Sequence, residues 1–350
     1  MKGSLKELLV ATLMFTSVTV GLNAQSASVP PLMLVKRMPA PGVTEFDHLG
    51  ADSKGNRLFS CAEAEGRVEV FNLRTGELIH EIGGLQKPHS LFYREDTNRL
   101  FVVDGNDSMG AVRVYDGKDY SLIKTVNLPP GADWSTHSEG SPKEFYVTAN
   151  GDVLQHPYST VSVVDTTAGS VVAEIKVDGD SIGGLAVDAS ASKLYLGNKN
   201  KKNEIDVVDL TKRDVVAKWP VTLGKKVGPI VIDVQNQRLY VGCRSGDLVI
   251  FDTSTGKELQ SLPISLGVDD LSYDTNGKRL YANGSGGDKG VTGTVDVYEQ
   301  IADNRYKSLG RLSTAPGARN GMLVQDAKRY FVEAPPHDGK SAEILVYEVQ

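Results

Sequence analysis

The sequence predicts an all-β protein: a seven-bladed β-propeller with four antiparallel strands per blade, closed by an N-terminal strand on the last blade. Three observations predict it. A motif of one polar and two bulky apolar residues recurs seven times at intervals of 41 to 50 residues. Four strand-like runs rich in β-branched and aromatic residues fill the repeating period. No helical periodicity competes with them. Four strands at this period are the mark of a propeller blade.

Residues 1–24 read as a signal peptide. Lys2 and Lys6 make a basic start, Leu8 to Leu22 is mostly apolar, and Ala24 or Ala27 offers a small residue before a cut. The apolar stretch is too short and too interrupted to favour a permanent membrane helix. Residues 25–350 are therefore expected to form one propeller domain without a membrane span, periplasmic or secreted and monomeric.

The next element, Leu32 to Pro41 (LMLVKRMPAP), resembles the last strand of the sixth unit, SLGRLSTAPG, and has no blade of its own. The final unit stops after its third strand at VYEVQ. The N-terminal segment is expected to supply the missing outer strand, which removes an open sheet edge. Between these ends the recurring motif is Arg57-Leu58-Phe59, Arg99-Leu100-Phe101, Glu144-Phe145-Tyr146, Lys193-Leu194-Tyr195, Arg238-Leu239-Tyr240, Arg279-Leu280-Tyr281 and Arg329-Tyr330-Phe331. The strand after it runs from Val68, Val112, Val161, Ile205, Leu248, Val295 and Ile344. An outer strand follows (ELIHEI, SLIKTV, VVAEIKV, VVAKWPV) and an apolar one precedes the motif (HLGAD, SLFYR, GLAVD, PIVID, DLSYD). Cys61 and Cys243 occupy equivalent places in distant repeats, so they are expected to be buried free thiols.

The tract Tyr146 to Asn150 (YVTAN) with the following VSVVDTTAG resembles the YVTN-type repeat of secreted bacterial seven-bladed propellers. LYLGNKNKKNEIDVVDL and LYVGCRSGDLVIFDTSTGKEL resemble it equally. The resemblance covers essentially the whole chain after the leader. It implies the fold and leaves function open.

Function is sought on the loops that open onto the central channel. Five of the six histidines fall in such loops: His48, His89 and His137 at or before first strands, His156 and His337 between second and third strands. Asp47, Asp104, Asp133, Glu139 and Glu333 are near them in the repeat. Imidazole with carboxylate suits a divalent transition metal or a general base, and His48, His89 and His137 are the candidate ligands. The opposite arc carries Asn198, Lys199, Lys201, Lys202, Lys225, Lys226 and Arg244, interrupted by Asp269 and Asp270. Trp134 stands in a mouth loop, where it can stack on a ligand. The expected ligand-binding set is Asp47, His48, His89, Trp134, His137, Asn198, Lys199, Lys226, Arg244, Asp269, Asp270 and Arg319.

Composition and charge narrow the rest. At 40% hydrophobic residues the chain is not disordered, and two cysteines cannot frame a disulfide miniprotein. The formal charge of −6 disfavours nucleic acid as a partner. No HExxH, CxxC or CxxCH occurs; no catalytic residue is assigned, and covalent haem is excluded. The glycine-rich NGSGGDKGVTG lacks the spacing and the following helix of a phosphate loop. The expected function is binding of a small-molecule or protein ligand through the loop face, without catalysis. The alternative is a metal-dependent lactonase-like hydrolase: propellers of the gluconolactonase type place carboxylate and Asn ligands at the channel mouth, and Glu63, Asp104, Asn150, Asn198 and Asn283 follow second strands here.

Overall fold

The computed structural model describes residues 29–138, 143–200, 202–287 and 290–350. The expected leader, Glu139 and Lys201 lie outside them. Among the described residues, seven four-stranded antiparallel sheets form, and each is one blade. Blade 1 spans Phe46–Asp52, Arg57–Ala62, Arg67–Asn72 and Leu78–Ile82. Blades 2 to 6 repeat this order, with first strands Pro88–Arg94, Ala132–His137, Ile182–Asp188, Val227–Asp233 and Val268–Asp274. Blade 7 combines Gly321–Val324, Arg329–Ala334 and Glu343–Val349 with the N-terminal strand Leu32–Pro39. That strand runs antiparallel to the C-terminal one, from Leu32 opposite Val349 to Pro39 opposite Glu343. The expected closure is therefore present, two residues shorter than the sequence suggested.

Burial explains the strand chemistry. Second and third strands are buried on both faces, as in Arg57–Ala62 and Arg67–Asn72. Outer strands alternate between exposed and half-buried, as in Asp214–Pro220. The hairpins into the outer strands carry an Asp whose carboxylate accepts two backbone N–H groups, at Asp165, Asp209 and Asp252. The apolar cores lie between neighbouring blades. One cluster joins Met38, Phe331 and Ile344 of blade 7 to Leu58 and Phe71 of blade 1; another joins Val207 of blade 4 to Val241 and Phe251 of blade 5.

The first strands touch their neighbours in an unbroken ring, blade 7 against blade 1 included. In blades 1 to 6 the register of the first strand slips near its start, for example between Phe46 and Leu49, Pro88 and Leu91, and Ala132 and Ser135. The same slip recurs in blades 4, 5 and 6. Such a bulge frees one or two residues from the ladder and re-aims their side chains. Here it does so at one mouth of the channel in blades 1 to 6. Cys61 and Cys243 are free and buried, as expected from their positions in blades 1 and 5. Among the described residues no helix is long and apolar enough to cross a membrane.

Candidate functional site

The bulges of blades 1 to 6, and in blade 7 the two residues just before Gly321, place two residues of each blade at the mouth, so strand register gives equivalent positions around the ring. The outer position holds Asp47, His89, Asp133, Gly183, Gly228, Asp269 and Arg319 in blades 1 to 7. The next position inward holds His48, Ser90, Trp134, Gly184, Pro229, Asp270 and Asn320. Blades 6, 7, 1, 2 and 3 thus supply an arc of charged, polar and aromatic side chains. At these positions blades 4 and 5 supply no polar side chain. A Cβ on Gly183 would lie 3.0 Å from the carbonyl oxygens of Val227 and Gly228, and one on Gly184 would lie 2.6 Å from the nitrogen of Ile230. Those glycines are set by the close approach of blades 4 and 5.

Within the arc the side chains form a continuous chain of ion pairs. His48 Nδ1 is 2.9 Å from Asp270 Oδ1, and its Nε2 is 3.4 Å from Asp47 Oδ1. Asp47 Oδ2 is 2.8 Å from His89 Nδ1. His89 Nε2 is 3.1 Å from the carbonyl oxygen of Gly105. A carbonyl only accepts, so Nε2 carries a proton and donates it. Glu63 Oε1 is 2.6 Å from Lys87 Nζ and 3.6 Å from His89 Nδ1. Asp133 Oδ2 accepts a hydrogen bond from Asn150 Nδ2 at 3.0 Å, and its Oδ1 is 3.8 Å from His89 Nδ1. On the other flank Asp269 is held between Arg244 and Arg319.

Burial and charge set the protonation. Burial alone would lower the pKa of His48, but the carboxylates of Asp270 and Asp47 outweigh it and hold the imidazole well above its ordinary value. Burial likewise acts against His89 and loses to its hydrogen bond with Asp47, so its pKa is raised. For Asp47 burial is outweighed by His48 and His89, and its carboxyl titrates lower than usual. Asp133 and Glu63 go the other way: burial raises both, with the charge of Asp47 adding to it. Glu333 is buried just behind, hydrogen-bonded by Ser60, and burial pushes its carboxyl well up.

Two hollows flank this chain. A cavity of about 190 Å³ in the channel is lined by residues of all seven first strands, among them His48, Trp134 and Asp270. A rim depression of about 480 Å³ between blades 2 and 3 is lined by Lys87, His89, Asp133 and Asn150.

Of the twelve residues expected from sequence, the structure gathers Asp47, His48, His89, Trp134, Asp269, Asp270, Arg244 and Arg319 at this mouth. Lys199 stands on its rim, beside Asp133. Three line neither hollow. His137 ends its strand rather than beginning it, so it lies toward the opposite mouth. It lines a separate hollow there with Asp188 and Asp233, stacks on Phe92 with centroids 3.8 Å apart, and is not a metal ligand with His48 and His89. Asn198 is fully buried and spends its amide on Asp178 and Asp206. The side chain of Lys226 is exposed, and its carbonyl accepts from the backbone of Arg244. Asp104 is likewise buried and structural, bonded to two backbone N–H groups and to Arg113. His156 stacks on Tyr158, and His337 bonds the carbonyl of Pro335. The partners that sequence reasoning missed are Lys87 and the Gly105 carbonyl. Their signal was positional: Lys87 immediately precedes a first strand, and Gly105 is the blade-2 counterpart of Glu63.

No protein-family profile matches the chain. Over 126 residues it is 28% identical to the seven-bladed beta-propeller protein Rv1057 of Mycobacterium tuberculosis, a stretch covering 35% of this chain and 31% of that protein. Among solved structures it is similar to the hydrazine synthase of Kuenenia stuttgartiensis, with a TM-score of 0.73 at 16% identity over 93% of this chain and 99% of that one. At that identity the likeness shows the fold alone.

Proposed function

We propose that this chain is an exported seven-bladed propeller of the YVTN type that binds a small polar ligand at the mouth built by blades 6, 7, 1, 2 and 3, without catalysis. One observation carries the reading. In blades 4 and 5 the same two positions hold Gly183, Gly184, Gly228 and Pro229. A blade of this fold therefore forms without charge at either position. Burying them costs desolvation that only good pairing offsets, and clustered groups with shifted pKa values are a frequent mark of binding sites. The flanking hollows are of a size for a small molecule. Export rests on the leader-like residues 1–24.

A thermal-shift screen of the purified protein against small acids, amines, sugars and metal ions tests the reading. Stabilising ligands should lose their effect in His48→Ala and His89→Ala proteins. If every ligand response survives both changes, the mouth is not the site. N-terminal sequencing of secreted or periplasmic material should begin at Gln25 or Ser28.

The second reading, a metal-dependent hydrolase acting on lactones, draws on the imidazole and carboxylates that meet at His89. Its signature is lactone hydrolysis that appears on metal addition and is lost in His89→Ala.

A further inference from the structure

We infer that Asp47, His89 and Asp133 bind a divalent first-row transition cation, with Glu63 as a fourth donor. The inference rests on the reading of this mouth as a binding site and names one occupant of it. The donor atoms of Asp47, His89 and Asp133 all lie within 4.8 Å of one another. Contacts to groups outside the three leave His89 Nδ1, Asp47 Oδ2 and Asp133 Oδ1 directed at one another, with Nδ1 and Oδ2 hydrogen-bonded to each other at 2.8 Å. His89 spends Nε2–H on the Gly105 carbonyl, which fixes the tautomer and points Nδ1 at the carboxylates. Asp133 spends Oδ2 on Asn150, which leaves Oδ1 toward His89. Asp47 turns Oδ1 to His48 and Oδ2 to His89. A ligating imidazole whose other N–H is tied to a carbonyl, beside carboxylates that are themselves hydrogen-bonded, is the usual outer support of a protein metal site.

Glu63 is the second, independent observation. It is only 5% exposed. Its Oε1 lies 3.6 Å from His89 Nδ1, and its Oε2 is buried with no hydrogen-bond partner. A buried carboxylate oxygen without a partner is costly, and a cation is a partner of the right kind. The cation would take the place of the proton that Nδ1 otherwise shares with Asp47. One imidazole with two or three carboxylates suits Zn²⁺, Mn²⁺ or Fe²⁺ better than Mg²⁺ or Ca²⁺, which favour sets made wholly of oxygen. The rim depression lies alongside, with His89 and Asp133 in its wall, and gives a cation access from solvent.

The test is calorimetric titration of chelator-treated protein with Zn²⁺, Mn²⁺, Mg²⁺ and Ca²⁺, followed by thermal shift. One equivalent of Zn²⁺ or Mn²⁺ should bind and raise the melting temperature. His89→Gln and Asp133→Asn should each weaken binding at least about tenfold, while His337→Gln should leave it unchanged. Circular dichroism and metal-free melting of each variant separate lost binding from lost folding. No binding, a response to Mg²⁺ or Ca²⁺ alone, or binding that survives both His89→Gln and Asp133→Asn in folded protein overturns the inference. The reading of the mouth as a ligand site fails separately, when organic-ligand responses survive both His48→Ala and His89→Ala.

Discussion

The imidazole of His48 lies against the indole of Trp134, with ring centroids 4.4 Å apart and planes at 58°. The two residues come from blades 1 and 3, so the contact reaches across the channel mouth past blade 2. It places one indole of the protein at the wall of the cavity that His48 and Asp270 also line.

Trp134 should therefore report on the mouth. The other tryptophan, Trp219, packs between Tyr195 and Phe251 in the core of blades 4 and 5. In a Trp219→Phe protein, which should cost about 1–2 kcal/mol of stability, ligand or Zn²⁺ binding is expected to change the emission of the remaining indole. A Trp134→Phe protein titrated the same way should stay silent. Equal responses from both proteins would place the binding event away from this mouth.

Closure by the N-terminal strand should carry measurable stability. Met38 and Leu32 are 1% and 2% exposed, and Met38 packs with Phe331 and Ile344 in the core between blades 7 and 1. Met38→Ala is expected to cost about 2–4 kcal/mol, read from urea unfolding. Deleting residues 29–39 should do more, because it uncovers the edge of Glu343–Val349 and invites edge-to-edge association. Size-exclusion chromatography would show this as oligomers, and a monomeric deletion protein of unchanged melting temperature would contradict it.

The closing strand and the blade count were legible because each rests on a repeated pattern: the Arg-Leu-Phe type motif marks each second strand, and an unpaired strand at each end demands a partner. The site was legible in part. Asp47, His48 and His89 could be placed because apolar residues follow them and mark where the strand lies. His137 could not, because Ala132–His137 (ADWSTH) lacks that apolar run and is half-buried along most of its length. The strand therefore seemed to begin at its own last residue. The bulge that aims Asp47, His89 and Asp133 at one another leaves no sequence pattern in a single repeat, and the role of the Gly105 carbonyl leaves none at all.

The two thiols should be inert in the folded protein. Burial pushes Cys243 up to about 12 and Cys61 well above its usual value, so neither offers thiolate at neutral pH. A thiol reagent such as DTNB is expected to label neither in buffer at pH 8 and both in guanidinium chloride. Labelling of one thiol in folded protein would show that its blade opens readily. Labelling of neither in denaturant without reductant would show a disulfide.

Acid should find a weak point at the other mouth. Burial of His137 lowers its pKa to about 4, and no carboxylate compensates as Asp47 and Asp270 do for His48. The unfolded imidazole titrates near 6.5, so between these values the unfolded chain binds more protons than the folded one. The stability tied to His137 is complete above pH 6.5 and is lost as the pH falls toward 4, by at most about 3 kcal/mol. Asp206 has the opposite sign. Burial raises its carboxyl to about 6, so its contribution is largest in acid and is lost as the pH rises through 6. His137→Phe keeps an aromatic ring against Phe92 and removes the titrating nitrogen. Urea midpoints at pH 7.5 and 4.5 should fall less in the variant than in the unaltered protein. An equal fall in both would assign the acid sensitivity to other groups, while a larger fall in an Asp206→Asn protein would show that the carboxyl had been masking the histidine.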